Sequence, residues 1–183
     1  MCGIAGLFAY DGSAPPVDRD ALLRMNNAMI ARGPDGEGSW VADDARTGFA
    51  HRRLSIIDLS DSGAQPMLMD GGRLVITYNG EIYNFRALRA ELEQQGRQFR
   101  SGSDTEVLLH LYDRHGPNMV EHLRGMFAFA IYDRAKQGVF LARDGFGIKP
   151  LYYSNDGKTL RFASQVKALL AGGGIDTAPS AAG

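Results

Sequence analysis

Short apolar runs closed off by glycine and polar turn residues dominate the chain, and their lengths are those of strands. Strands are predicted over residues 3–10, 38–42, 47–52, 73–78, 126–133, 138–143, 151–154 and 160–163. Many are followed at once by turn residues, as hairpins require, so the pairing is expected to be largely antiparallel. Between them the period changes to that of a helix. Residues 18–31 place Leu22, Met25 and Met29 on one face, with Pro15-Pro16 ahead and Gly33 behind. Asn84 is a candidate cap for a helix whose inward positions are Phe85, Leu88 and Leu92, stopped by Gly96. Ser103-Asp104-Thr105-Glu106 has capping-box spacing ahead of the apolar face Val107, Leu108, Leu111 and Tyr112, with Gly116 behind. Pro117 suits the first turn of a short helix ending near Gly125, and 165–171 reads as a last short one. Hairpin-like strands and separate amphipathic helices imply an α+β layered domain over residues 1–171, its sheets covered by helices. The stretch 172–183, which opens Gly172-Gly173-Gly174, reads as a linker towards a further domain, and no internal repeat is visible.

Composition narrows the class without changing that picture. A chain of 183 residues fits one domain with a sizeable core. Twenty basic against 21 acidic residues argue against a nucleic-acid or membrane-surface partner. The single cysteine excludes an internal disulfide, and no apolar run approaches the ~18 residues of a membrane span. With no signal segment at the start, a cytoplasmic setting is expected.

That one cysteine stands directly behind Met1. If the methionine is trimmed, Cys2 carries a thiol and a free α-amine, a nucleophile and a base in one residue, with ordinary pKa values near ~8.5 and ~7.7–8.0. Read alone, it is more simply a small residue opening an apolar strand. Thiolate attack on an amide carbonyl needs donors for an oxyanion, and Asn79-Gly80 supplies a side-chain amide beside an unhindered N–H. The same pair is also a strong hairpin-turn signal, although Glu81-Ile82-Tyr83 continues in strand-like residues. Arg53 is a candidate clamp for a substrate carboxylate, in competition with its neighbour Arg52. Glu81 and Asp104 are candidates for an ammonium, and Asp104 reads equally well as a charge in a helix's first turn. His51, His110, His115 and His122 show no metal-ligand spacing, and His110 and His115 are expected on a solvated helix face. No phosphate-binding loop or dinucleotide fingerprint occurs, and Phe127 and Phe129 alternate as core residues. No short spacing connects residues 2, 53, 79–81 and 104, so only a fold could gather them.

The sequence does, however, resemble a known family along nearly its whole length. The blocks Met1-Cys2-Gly3-Ile4, Arg32-Gly33-Pro34-Asp35-Gly36, Arg53-Leu54-Ser55-Ile56-Ile57-Asp58, Gly63-Ala64-Gln65-Pro66-Met67, Tyr78-Asn79-Gly80-Glu81-Ile82-Tyr83-Asn84, Gly102-Ser103-Asp104-Thr105-Glu106 and the run from Arg143 to Tyr153 occur in order. They are similar to those of the N-terminal glutaminase domain of glutamine-dependent asparagine synthetases, which are class II glutamine amidotransferases. The resemblance implies the four-layer αββα N-terminal-nucleophile hydrolase fold with two largely antiparallel sheets. It implies Cys2 as nucleophile with its own α-amine as base, and Asn79 and Gly80 as oxyanion hole. It further implies Arg53 as carboxylate clamp, Leu54, Ser55, Ile56 and Ile57 as substrate contacts, and Glu81 and Asp104 as acceptors of the α-ammonium. The expected reaction is hydrolysis of L-glutamine, with no cofactor or metal in this domain. ATP and Mg²⁺ are expected in a C-terminal synthetase domain that takes the ammonia to amidate aspartate. Another amidotransferase's glutaminase module, or a non-catalytic interaction module of the same fold, are the alternatives. A homodimer stays open. A retained Met1 would lock the α-amine in a peptide bond.

Overall fold

The computed structural model describes residues 1–54 and 61–178. Among the described residues, nine strands and four α-helices follow one another as β1 (Gly3–Ala9), α1 (Arg19–Asn27), β2 (Gly36–Val41), β3 (Thr47–Arg53), β4 (Met67–Met69), β5 (Leu74–Ile82), α2 (Phe85–Gln94), α3 (Asp104–His115), β6 (Gly125–Asp133), β7 (Gly138–Arg143), β8 (Tyr152–Asn155), β9 (Thr159–Ala163) and α4 (Val166–Gly172). They build a five-stranded sheet ordered β2-β3-β1-β9-β8 and a four-stranded sheet ordered β4-β5-β6-β7. Every ladder is antiparallel.

Period-two alternation sorts the side chains into layers. In β1, Ala5 and Leu7 pack under α1 and α4 with Leu22, Met25, Met29, Ala168 and Leu169. Ile4 points the other way, into a core between the sheets with Phe49, Val75, Ala128, Ala130, Tyr132 and Phe162. In β5, Leu74, Ile76 and Tyr78 face α2 and α3, while Val75 belongs to the inter-sheet core. The result is helices, sheet, sheet, helices. Gly6 sits where Phe49 and Phe162 meet edge-on with ring centroids 5.6 Å apart. A Cβ there would overlap the Phe162 ring and lie 2.9 Å from Phe49 Cδ1, so that position closes the two sheets only because it lacks a side chain.

Several local expectations are corrected. Asn79-Gly80 is no turn: β5 runs through it to Ile82, because β6 pairs it as far as Ile82↔Gly125. β4 went unpredicted, since three residues cannot display an alternation. α1 ends at Asn27, followed by a 3₁₀ turn over Ile30–Arg32, and the Pro117 segment is a 3₁₀ helix over Gly116–His122. Ser103 caps α3, its Oγ accepting the Thr105 N–H at 3.1 Å. Asn84 precedes α2 without capping it; its backbone (φ −96°, ψ 17°) is not extended. Its side chain instead accepts from Arg124 N–H and donates to the His122 carbonyl, both at 3.0 Å. His110 is buried rather than solvated, because α3 is enclosed from Asp104 to Tyr112, and its ring lies 4.6 Å from that of Phe99. Among the described residues no helix is long and apolar enough to cross a membrane.

Candidate active site

The open ends of both sheets border one cleft. Cys2 comes to it from the start of β1, Arg53 and Leu54 from the end of β3, Asn79, Gly80 and Glu81 from β5, and Asp104 from the first turn of α3. Residues with no sequence proximity thus share one wall. Ser55, Ile56 and Ile57 lie outside the described residues. Met1, His51, Gln65, Tyr78, Ser103, Thr105, Met126 and Lys149 complete most of the lining.

Cys2 is half-buried. Its Sγ accepts the Leu54 N–H at 3.3 Å and lies 3.5 Å from the Leu54 carbonyl, which ties it to the end of β3. Arg32 Nε donates to the Cys2 carbonyl at 2.9 Å. Lys149 is buried, and its ammonium meets Met1 Sδ at 3.0 Å. Burial pushes the Lys149 ammonium below its ordinary value; the Arg32 charge adds to this, and Cys2, Glu81 and Asp144 oppose it. Its loop is fixed by Asp144, which accepts the N–H groups of Phe127, Phe146, Ile148 and Lys149. Burial alone would raise that carboxyl, yet the four donors bring it below the usual carboxylate value.

Asn79 is 1% exposed, and its Nδ2 finds no hydrogen-bond partner among the described residues. An unsatisfied buried donor costs about 1–3 kcal/mol, so it persists where an acceptor is expected. Gly80 follows on the edge that β4 leaves free: β4 pairs with β5 only up to Met67↔Ile76. The Tyr78 N–H points to that edge, where it donates to Gln65 Oε1 at 2.6 Å, and by the two-residue period the Gly80 N–H does too. A Cβ on Gly80 would collide with Met126 O and lie 2.6 Å from the Tyr78 ring. Two donors, one side-chain and one main-chain, are therefore presented side by side.

Asp104 is buried, and its Oδ2 accepts the Tyr78 hydroxyl at 2.7 Å and the Ile82 N–H at 3.0 Å. Burial lifts this carboxyl above its ordinary value, and those two hydrogen bonds draw it partly back. Glu81 is exposed at the rim, and Arg53 is half-buried. Cation and carboxylates on one wall suit a small zwitterion. Sequence reasoning missed Gln65, Tyr78, His51 and Lys149. Gln65, Tyr78 and Lys149 fall inside the resembling blocks without a role attached to them, and Tyr78 reads besides as one more core residue of an alternating strand.

Comparison with known proteins shows the family of the chain. A family model described as a glutamine amidotransferase domain matches residues 1–183. The chain is 44% identical over 171 residues to "Asparagine synthetase [glutamine-hydrolyzing] 1" of Bacillus subtilis (strain 168), covering 93% of this chain and 27% of that protein. It is 44% identical over 172 residues to "Asparagine synthetase B [glutamine-hydrolyzing]" of Escherichia coli (strain K12), covering 93% and 30%. "Amidase chry2" of Gibberella zeae is 39% identical over 181 residues, with 94% and 27% covered. The chain thus spans about a quarter to a third of the length of these relatives. Among solved structures, the glutamine phosphoribosylpyrophosphate amidotransferase of B. subtilis superposes with a TM-score of 0.77 at 23% identity, covering 93% of this chain and 43% of that one.

Proposed function

Since this chain belongs to the glutamine amidotransferase domain family and has the layered fold of the N-terminal-nucleophile amidotransferases, we propose that it hydrolyses L-glutamine to glutamate and ammonia through a thioester on Cys2. The observation that carries this reading is the orphaned, buried Asn79 amide on the cleft that Cys2 also lines. In the proposed sequence, removal of Met1 frees the Cys2 α-amine, which takes the thiol proton. The thiolate attacks the substrate's side-chain amide carbon, and the new oxyanion accepts from Asn79 Nδ2 and the Gly80 N–H. The protonated α-amine returns its proton to the departing ammonia, and water then cleaves the thioester to regenerate the thiol. Arg53 holds the α-carboxylate, and Asp104 with Glu81 holds the α-ammonium.

The relatives named as asparagine synthetases support a destination for the ammonia in a synthetase portion; that this portion amidates aspartate with ATP and Mg²⁺ is part of the proposal. A different acceptor is the second reading, favoured by the 39% identical relative that is named an amidase. The test is glutamine turnover by the chain with Cys2 at its N-terminus. Cys2→Ala is expected to abolish hydrolysis while the thermal melt stays within a few degrees of wild type. Unchanged turnover in that variant would sink the mechanism.

A further inference from the structure

Tyr78 makes an unusual set of contacts. Its N–H donates to Gln65 Oε1 at 2.6 Å, its carbonyl accepts from His51 Nε2 at 3.2 Å, and its hydroxyl donates to Asp104 Oδ2 at 2.7 Å. All three partners are side chains of the cleft lining. Two of them stand where a longer β4 would have continued the ladder, since β4 leaves β5 after Ile76. The third contact fixes a buried carboxylate. Both donors from β5, the Tyr78 hydroxyl and the Ile82 N–H, fall on Oδ2, so Oδ1 is the oxygen β5 does not use. The hydroxyl is dependable as a donor: burial and the neighbouring Asp104 charge hold its pKa well above the ordinary tyrosine value.

We propose that Tyr78 is a specificity-determining positioning residue, whose hydroxyl holds Asp104 in the one orientation that reads the α-ammonium of the substrate. The proposal rests on the glutaminase reading for the identity of that substrate. Two donors on Oδ2 hold the carboxylate at two points; without the hydroxyl only the Ile82 N–H of β5 remains on that oxygen, and the group can turn about it. A core tyrosine that merely satisfied its hydroxyl would have no effect on which substrate is chosen.

Tyr78→Phe removes one oxygen and keeps the ring. In the chain with Cys2 at its N-terminus, the variant is expected to raise KM for glutamine about tenfold, with kcat within about twofold, because a hydrogen bond to a charged group is lost only from substrate binding. For the analogue lacking the α-amine, glutaramic acid, kcat/KM should stay unchanged, so the preference for glutamine falls by the same factor. In an Asp104→Asn background, Tyr78→Phe should add nothing further. A lower melting temperature with KM unaltered, or an equal loss on both substrates, overturns the assignment. A second readout needs no turnover. The Asp104 carboxyl, titrated by carbon NMR, should have a higher midpoint in Tyr78→Phe, since the hydroxyl stabilises the ionised form. The other titratable and charged groups that line the cleft with Asp104, namely Cys2, His51, Arg53, Glu81 and Lys149, are the same in both proteins. No turnover by the wild-type chain overturns the glutaminase reading; an unmoved midpoint overturns the role of Tyr78, whichever way turnover comes out.

Discussion

Across the inter-sheet space, His51 reaches from β3 to the Tyr78 carbonyl of β5, and this contact makes Nε2 the protonated nitrogen and leaves Nδ1 with the lone pair. Burial, with the Arg53 charge adding and the carbonyl opposing, pushes the imidazole pKa down to about 4. The folded state therefore binds fewer protons than the unfolded chain between about pH 4 and 6.5. The neutral ring's contribution is complete above about 6.5 and is lost as the pH falls towards 4. That gap is worth on the order of 3 kcal/mol. Denaturant melts at pH 4.5 and 7.5 should show wild type losing stability at the lower value, and His51→Gln losing visibly less. Nothing around position 51 in the sequence announces this, because the partner is a main-chain carbonyl 27 residues away.

On the scale of strands and helices, most of the fold was legible because amphipathic alternation is a local property. The inward faces of α1 and α3 and eight of the nine described strands follow directly from it. What escaped depends on partners distant in sequence. β4 exists because β5 offers an edge. Asn79-Gly80 stays extended because β6 pairs it, against the turn preference of the dipeptide. Chemistry named Cys2, Arg53, Asn79, Gly80, Glu81 and Asp104 as candidates and the resemblance joined them, but only the fold shows that they line one cleft, and the contacts of Tyr78, Gln65 and His51 emerge only when the sheet edge is seen. Gly6 provides a test at this scale. Gly6→Ala pushes a methyl into the Phe49–Phe162 pair at the centre of the sandwich, and overpacking of this kind costs about 1–3 kcal/mol. Differential scanning calorimetry should find the midpoint lowered by a few to about ten degrees.

Taken as a whole, the molecule carries its exposed large apolar side chains unevenly. Phe146 is 95% exposed, Tyr153 70% and Ile148 54%, all in one stretch that also carries Lys149 into the cleft. The loop is not soft: besides the four donors on Asp144, Arg143 donates to the carbonyls of Gly147 and Lys149 at 2.6 and 3.0 Å. Rigidly presented apolar side chains beside a cleft are suited to a docking partner, here the proposed acceptor portion. Phe146→Ser should lower the binding of an apolar dye by the isolated chain and leave glutamine turnover intact; dye binding equal to wild type would show that this side chain is not what the surface presents.

The plugged edge of β5 also decides what the cleft refuses. An exposed strand edge is an invitation to any extended polypeptide, yet here the next main-chain donor is already held by Gln65 and the next carbonyl by His51. Arg53 and Asp104, as assigned, demand a free carboxylate and a free ammonium, and a glutamine within a protein has neither. A thiol able to open amides would be dangerous in a cell full of glutaminyl side chains. With both main-chain groups of Tyr78 held, and with the two free charges demanded by the proposed function, the proposed nucleophile would be kept from glutamines within polypeptides.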